Sequence, residues 1–404
     1  MVANLMDQDI RYLTGAETTG RLSGTAGARM ASSYLADALA ALNLIAAGDD
    51  GYFQWLNVPA ARITGAVRLT VSGTAYRYRK DFGETTSLSS GGSLRAPLVV
   101  VTEESQLRPE DLTGKVALIP QRPEGFDLNA TVRAAVDLGV AGLLVEWGEP
   151  KWFHKTLFGS ADNRIPVVRV RHSVAAALAS RQGAQVELDL PLTVESLPCR
   201  NVLGLLRGID PTRTVALTAH YDHLGDDPNG ERFPGAIDNA SGVVTMLAVA
   251  RALVERKKAL PFNVLVGFLT GEESGMWGAK HLAARSAPPL SAVINLDGMG
   301  YEQSLRAIRL GYAKPGHWLA DMAAEVFQQR GIEVRWTPGS DDSAAFQAAG
   351  LPALGLGQMA TESMPAGLHS PDDTGEVLAL PTIQEGADAI LALLDHLAKH
   401  PAMA

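Results

Sequence analysis

From residue 198 to the C-terminus, short runs of branched and aliphatic residues alternate with stretches whose apolar positions recur at helical spacing. No other feature constrains the chain as much. Strands separated by helices of about 10–15 residues pair largely in parallel and need helices over both faces of their sheet. NVLGLLRG reads as a hairpin-like lead into the strand VALTAH, and the helix SGVVTMLAVARALVE comes after it. The strand FNVLVGFLT, a helix around WGAKHLAAR and the strand SAVINLD come next. RAIRLGY, HWLADMAAEVFQQRG, EVRWT, SAAFQAAG and PALGLG continue the alternation, and TIQEGADAILALLDHLAK forms a last helix. The expected class is α/β, with a mostly parallel mixed sheet and helices on both faces.

Residues 51–197 show another rhythm, rich in β-type runs (VRLTV, APLVVV, KVALI, GLLVEW, IPVVRV) with two short helical patterns, NATVRAAVDLG and HSVAAALASRQG. With 404 residues the chain exceeds what one core normally organises. The expected domains are therefore 1–50 with 198–404, and 51–197 as an insertion. In the first segment, residues 28–44 place Met30, Tyr34, Leu35, Ala38, Leu39 and Leu42 on one helical stripe, preceded by the loop GRLSGTAG. Charge divides along the same line. Residues 51–197 hold 16 Lys and Arg against 15 Asp and Glu, whereas the rest holds 19 against 29.

Composition excludes several classes. Apolar residues at 46% and charged residues at 20% suit a globular enzyme rather than a disordered chain. A net charge of −9 argues against nucleic acid or an anionic membrane as partner. Cys199 is the sole cysteine, so neither an intramolecular disulfide nor a cysteine-based zinc site is possible, and it reads as a small packed residue. No apolar run reaches the roughly 18 residues a bilayer span requires, and the start lacks a basic-then-apolar leader. That leaves a cytoplasmic protein, or a secreted one whose leader is not in this sequence. No G-x-S-x-G elbow is present, which argues against a serine hydrolase.

The residues just past the strands of 198–404 carry the chemistry. VALTAH ends in His220, with Asp222 two residues on. Asp238 sits in GAIDNASG just before a helix, FNVLVGFLT runs into Glu272 and Glu273, SAVINLD ends in Asp297, and the loop after PALGLG supplies His369. The carboxyl ends of strands in an open α/β sheet converge on one crevice, where ligands bind. Imidazoles and carboxylates are good zinc ligands. Two histidines and three carboxylates would serve two ions if one carboxylate were shared, leaving positions for water and substrate. A spare carboxylate could act as general base, and Asp222 is a natural acceptor for the other N–H of His220. Spacing alone leaves open which of Glu272 and Glu273 binds metal. His281 and His396 lie in helical stretches and read as ordinary surface or packed residues.

AHYDHLG, PGAIDNASGVV, LTGEESGMWGAKHL, INLDGMG, GSDDSAAFQAAGLPA and HSPDDT resemble, in order, the motif blocks of the co-catalytic zinc aminopeptidase family. That family includes bacterial leucine aminopeptidases and glutamate carboxypeptidase-like enzymes. The likeness spans residues 199–404 and the GRLSGTAG segment, and DLTGKVALI with AAVDLGVAGLLV looks like an inserted protease-associated domain. It implies that His220 and Asp297 bind one zinc, that Glu273 and His369 bind the other, and that Asp238 bridges. It further implies that Glu272 is the general base and that Asp222 orients His220. Several members have a tyrosine just before the last histidine, where this chain has Leu368.

The expected activity is zinc-dependent removal of N-terminal residues from peptides. The alternatives are a carboxypeptidase or a hydrolase of small N-acyl or dipeptide amides on the same site. A glutaminyl-cyclase-like acyltransferase is disfavoured by His220, and a pure binding protein by Glu272.

Overall fold

The computed structural model describes residues 2–102, 109–286, 289–360 and 367–400. The chain divides into two compact units. One comprises Met1–Val58, Leu197–Gly225 and Arg232–Ala404, and the other Pro59–Ser196 with Asp226–Glu231.

The first unit is built on a nine-stranded sheet. Its strands run in the order Ile45–Ala46, Leu192–Leu206, Phe262–Leu269, Asp210–His220, Ala292–Leu296, Ala353–Gln358, Ala307–Arg309, Glu333–Arg335, and Phe53–Ile63 also pairs with Leu192–Leu206. The four central strands, Phe262–Leu269 through Ala353–Gln358, are mutually parallel. Every residue of Phe262–Leu269 is buried, as in a parallel strand covered on both faces. The outer pairings are largely antiparallel, so the sheet is mixed.

The lead into VALTAH does not close a hairpin. Phe262–Leu269 lies between the two strands, antiparallel to Leu192–Leu206 and parallel to Asp210–His220. The residues from Val215 to His220 are all buried, and Val215 to Thr218 take parallel partners on both sides, a central place that a hairpin neighbour would have blocked.

Helix Ala26–Ala41 starts where the Thr25 side chain accepts the Ala28 N–H. It buries Leu35 and Leu39 as the stripe requires, but Met30 is 39% exposed and Leu42 lies past the helix end. Ser241–Val254 is buried along most of its length, and the apolar stretch Ala236–Val254 is a core helix of this unit.

The second unit has an eight-stranded sheet, with Gly92–Val100, Val116–Ile119, Gly142–Glu146 and Val167–Val170 parallel at its centre. Apolar clusters on its two faces contain Leu98, Val116 and Leu144, and Val99, Val132 and Val145. It begins at Pro59, inside the strand Phe53–Ile63 rather than at residue 51, and ends at Ser196, inside Leu192–Leu206 and one residue from the expected 197. It also takes in residues 226–231, which no local pattern would assign to it. There Asp227 enters a buried ion cluster. Arg79 Nε lies 2.7 Å from one Asp227 oxygen and Lys155 Nζ 2.7 Å from the other, while Arg79 Nη2 meets Glu84 at 2.9 Å.

Candidate metal centre

Parallel register aligns the strand ends. Thr218 is opposite Asn295 and His220 is opposite Leu269. His220 therefore leaves the sheet level with Asp297 on one side, and on the other with the turn that carries Glu272 and Glu273. Asp238 arrives from the turn before helix Ser241–Val254 and stands between two groups of donors. His220 Nε2 is 3.3 Å from Asp238 Oδ1 and 3.5 Å from Asp297 Oδ1. His369 Nε2 is 3.0 Å from Asp238 Oδ2 and 3.2 Å from Glu273 Oε2.

These separations are informative. Tetrahedral N and O ligands about 2.0–2.1 Å from a zinc ion lie about 3.3 Å from one another. The four contacts match that spacing, and Nε2 of His220 is buried without a well-aligned hydrogen bond among the described residues. A cation at each group would satisfy this atom and offset the crowded carboxylates, so the residues fit the metal. The groups His220, Asp238, Asp297 and His223, Asp238, Glu273 both lie within metal-holding distance.

The surrounding residues hold the donors by bonds that local sequence does not display. Arg21 of GRLSGTAG is fully buried and donates to the main-chain oxygens of Leu13, Tyr221, Pro234 and Gly235. It thereby ties down the segments that carry His220 and Asp238. Ser23 Oγ bonds Asp222 Oδ2 and Thr270 Oγ1 and accepts the Gly271 N–H. Asp222 Oδ1 accepts the Glu272 N–H at 3.3 Å. The Asp222 carboxylate is thus shared with the Glu272 turn, and His220 Nδ1 lies nearer the Asp222 main-chain carbonyl, at 3.2 Å, than its carboxylate, at 3.7 Å. Asp373 accepts the N–H groups of Ile237 and Asp238, and Asn239 bridges to Leu296 and Gly298.

This enclosure sets the charge states. Burial pushes Glu272 well above the usual carboxylate range, with Asp297, Asp342 and Glu273 adding repulsion and His220 opposing it. Burial likewise raises Asp222 to about 6. Glu273 moves down to about 2, because His369 and His223 outweigh burial and Asp238. Burial disfavours a charged His369, yet Glu273 and Asp238 raise it to about 12. Asp342 is fully buried, with neither carboxyl oxygen hydrogen-bonded among the described residues, and burial favours its neutral form.

The family model for "Peptidase family M28" matches residues 201–394, the segment that carries all of these donors. Residues 201–394, just under half of the chain, are thus similar to peptidase family M28. A probable leucine aminopeptidase 2 from Aspergillus fumigatus is 30% identical over 224 residues, covering 53% of this chain and 41% of that protein. Aminopeptidase YwaD from Bacillus subtilis is 26% identical over 242 residues, covering 56% of this chain and 50% of that protein. The chain thus spans half or less of the length of these curated relatives. The fold is that of a solved zinc aminopeptidase from Bacillus subtilis, with a TM-score of 0.73 and 21% identity, over 97% of this chain and 94% of that one.

The structure brings together all seven residues singled out in the sequence: His220, Asp222, Asp238, Glu272, Glu273, Asp297 and His369. Sequence reasoning passed over His223, Arg21, Ser23 and Asp373. His223 adjoins Asp222 in AHYDHLG, and Asp373 ends the HSPDD run, so proximity to a motif was the available signal. Leu368, at the tyrosine position of several members, is half-buried and carries no donor.

Proposed function

We propose that this chain is a metallo-aminopeptidase that uses two zinc ions to hydrolyse the N-terminal peptide bond of its substrate. The observation that carries the reading is Asp238, whose two oxygens face separate sets of donors, one with His220 and Asp297 and the other with Glu273 and His369. Bound there, zinc would polarise the scissile carbonyl and make water acidic enough to yield a nucleophile near neutral pH.

The chain's own residues do the rest. Glu272 accepts the proton of the attacking water and returns it to the leaving amine. Its turn is held by the Asp222 bond to its N–H and by Ser23 on Gly271. Arg21 and Asp373 hold the backbone that leads into Asp238.

The excess of carboxylates suits a free α-ammonium. A carboxypeptidase needs a cation facing the substrate, and the Arg21 guanidinium is enclosed and spent on main-chain carbonyls. Burial lowers its pKa to about 10, which leaves it charged at neutral pH. Residues 51–197 are read as a protease-associated-like insertion. Their separate core and their lack of any of these donors support a part in substrate choice rather than in chemistry.

The test is a panel of aminoacyl nitroanilides and their N-acetylated counterparts, assayed on zinc-reloaded protein. Hydrolysis confined to free N-termini is expected. Equal rates on blocked substrates would replace this reading with a general amide hydrolase.

A further inference from the structure

His223 has no part in the mechanism above, yet it is completely buried in the donor cluster. Its Nδ1 lies 2.6 Å from Glu273 Oε1. A carboxylate accepts hydrogen bonds, so the imidazole is the donor. That distance also separates His223 from the ligand groups. At about 2.0–2.1 Å from one ion, two atoms 2.6 Å apart would subtend far less than a tetrahedral angle, whereas the other four contacts fit it.

The ring is held in place from two further directions. Its main-chain N–H donates to the Arg21 carbonyl at 3.3 Å. Gly235, in the left-handed region at φ 59°, presses its backbone against it, and a β-carbon there would come within 2.4 Å of ring atoms Cγ and Cδ2. The His369 ring meets it edge-on at 5.9 Å.

We propose that His223 is the positioning residue for Glu273: by holding Oε1, it leaves Oε2 alone to face His369 and makes Glu273 a one-oxygen ligand of the second zinc. This rests on the two-zinc reading. Without the bond, the carboxylate is free to rotate about its terminal torsion, which is broad and nearly two-fold. The second ion would then lose a preset ligand while the first, at His220 and Asp297, would not. Partners of this kind commonly govern metal affinity by 10–100-fold.

The experiment is zinc titration against a chromophoric chelator on the full chain, with unfolding of the zinc-free protein monitored in parallel. His223→Phe keeps a ring of similar size without the N–H. It should bind one zinc as the wild type does and the second about 10–100-fold more weakly, with zinc-free stability little changed. His223→Asn puts an amide N–H near the Nδ1 position and should recover most of the second-site affinity, which a purely space-filling role would not produce. Should the Phe variant fail to fold, His223→Leu, which has no donor, takes its place in the same comparison.

Two zinc ions bound with wild-type affinity by the donor-deficient variant would overturn the proposal alone, as would equal weakening of both ions. A wild type that takes up only one ion with full activity would instead overturn the two-zinc reading, and this proposal with it.

Discussion

Each unit of this protein buries a cluster of charges, and the two clusters are resolved in opposite ways. In the second unit Arg79 and Lys155 meet Glu84 and Asp227 one for one, and the Tyr78 hydroxyl closes the set with a 2.6 Å bond to Glu84. The positive and negative charges cancel, and all four charged side chains are almost wholly enclosed. In the first unit Asp222, Asp238, Glu272, Glu273 and Asp297 face imidazoles, and the nearby guanidinium of Arg21 is occupied by carbonyls. Among the described residues, that cluster is left with carboxylates in excess and with an orphaned imidazole nitrogen on His220. A self-neutralised buried cluster is a structural device, whereas one that still needs cations is built to bind them.

The contrast can be broken most directly with a chelator. Removing metal should abolish activity, and zinc reloading to about two ions per chain should restore it. Asp238→Asn should lower occupancy at both positions, since both donor sets use that carboxylate. One tight ion with full activity would remove the two-ion half of the comparison. Next in size, Glu272→Gln should lower kcat by about 10²–10⁴-fold while zinc content stays near two. Loss of zinc from this variant, with retention by Glu273→Gln, would reverse the two glutamates.

The second cluster should answer to stability measurements alone. Arg79→Met leaves Glu84 and Asp227 short of a buried partner and should cost on the order of 3–5 kcal/mol in urea unfolding. A loss no larger than that of a surface substitution would show the cluster to be dispensable. The smallest effect is in acid. Burial favours a neutral Asp227, but Arg79 and Lys155 prevail and hold its pKa below the usual range. A depressed folded value means that its contribution is complete above the unfolded pKa of about 3.9 and fades as pH falls through the lower folded value. Asp227→Asn should therefore make stability less steep in pH below about 4, as read by unfolding across that range.

Much of the first unit was legible because its signals are local. Alternating strand and helix patterns marked the elements to within a few residues, and the polar residue at each strand end marked the site. The order of the strands was less accessible. NVLGLLRG and VALTAH adjoin in sequence, but the decisive fact is that FNVLVGFLT takes the place between them, a choice made by pairing rather than by composition. Met30 shows the same limit on a smaller scale. It lies on the apolar stripe of its helix, yet the stripe is wider than the face that the neighbouring elements cover.

By itself, the sequence determined which residues could bind metal and that a parallel sheet would carry them to one edge, because side-chain type and periodicity are properties of short segments. Only the tertiary structure decided how those residues are held. Arg21 reaches carbonyls at Pro234 and Gly235, more than 200 positions away, Asp373 caps the turn of Asp238, and His223 fixes a glutamate 50 residues on. Such bonds form between segments that meet only once the sheet has assembled, so no local pattern announces them.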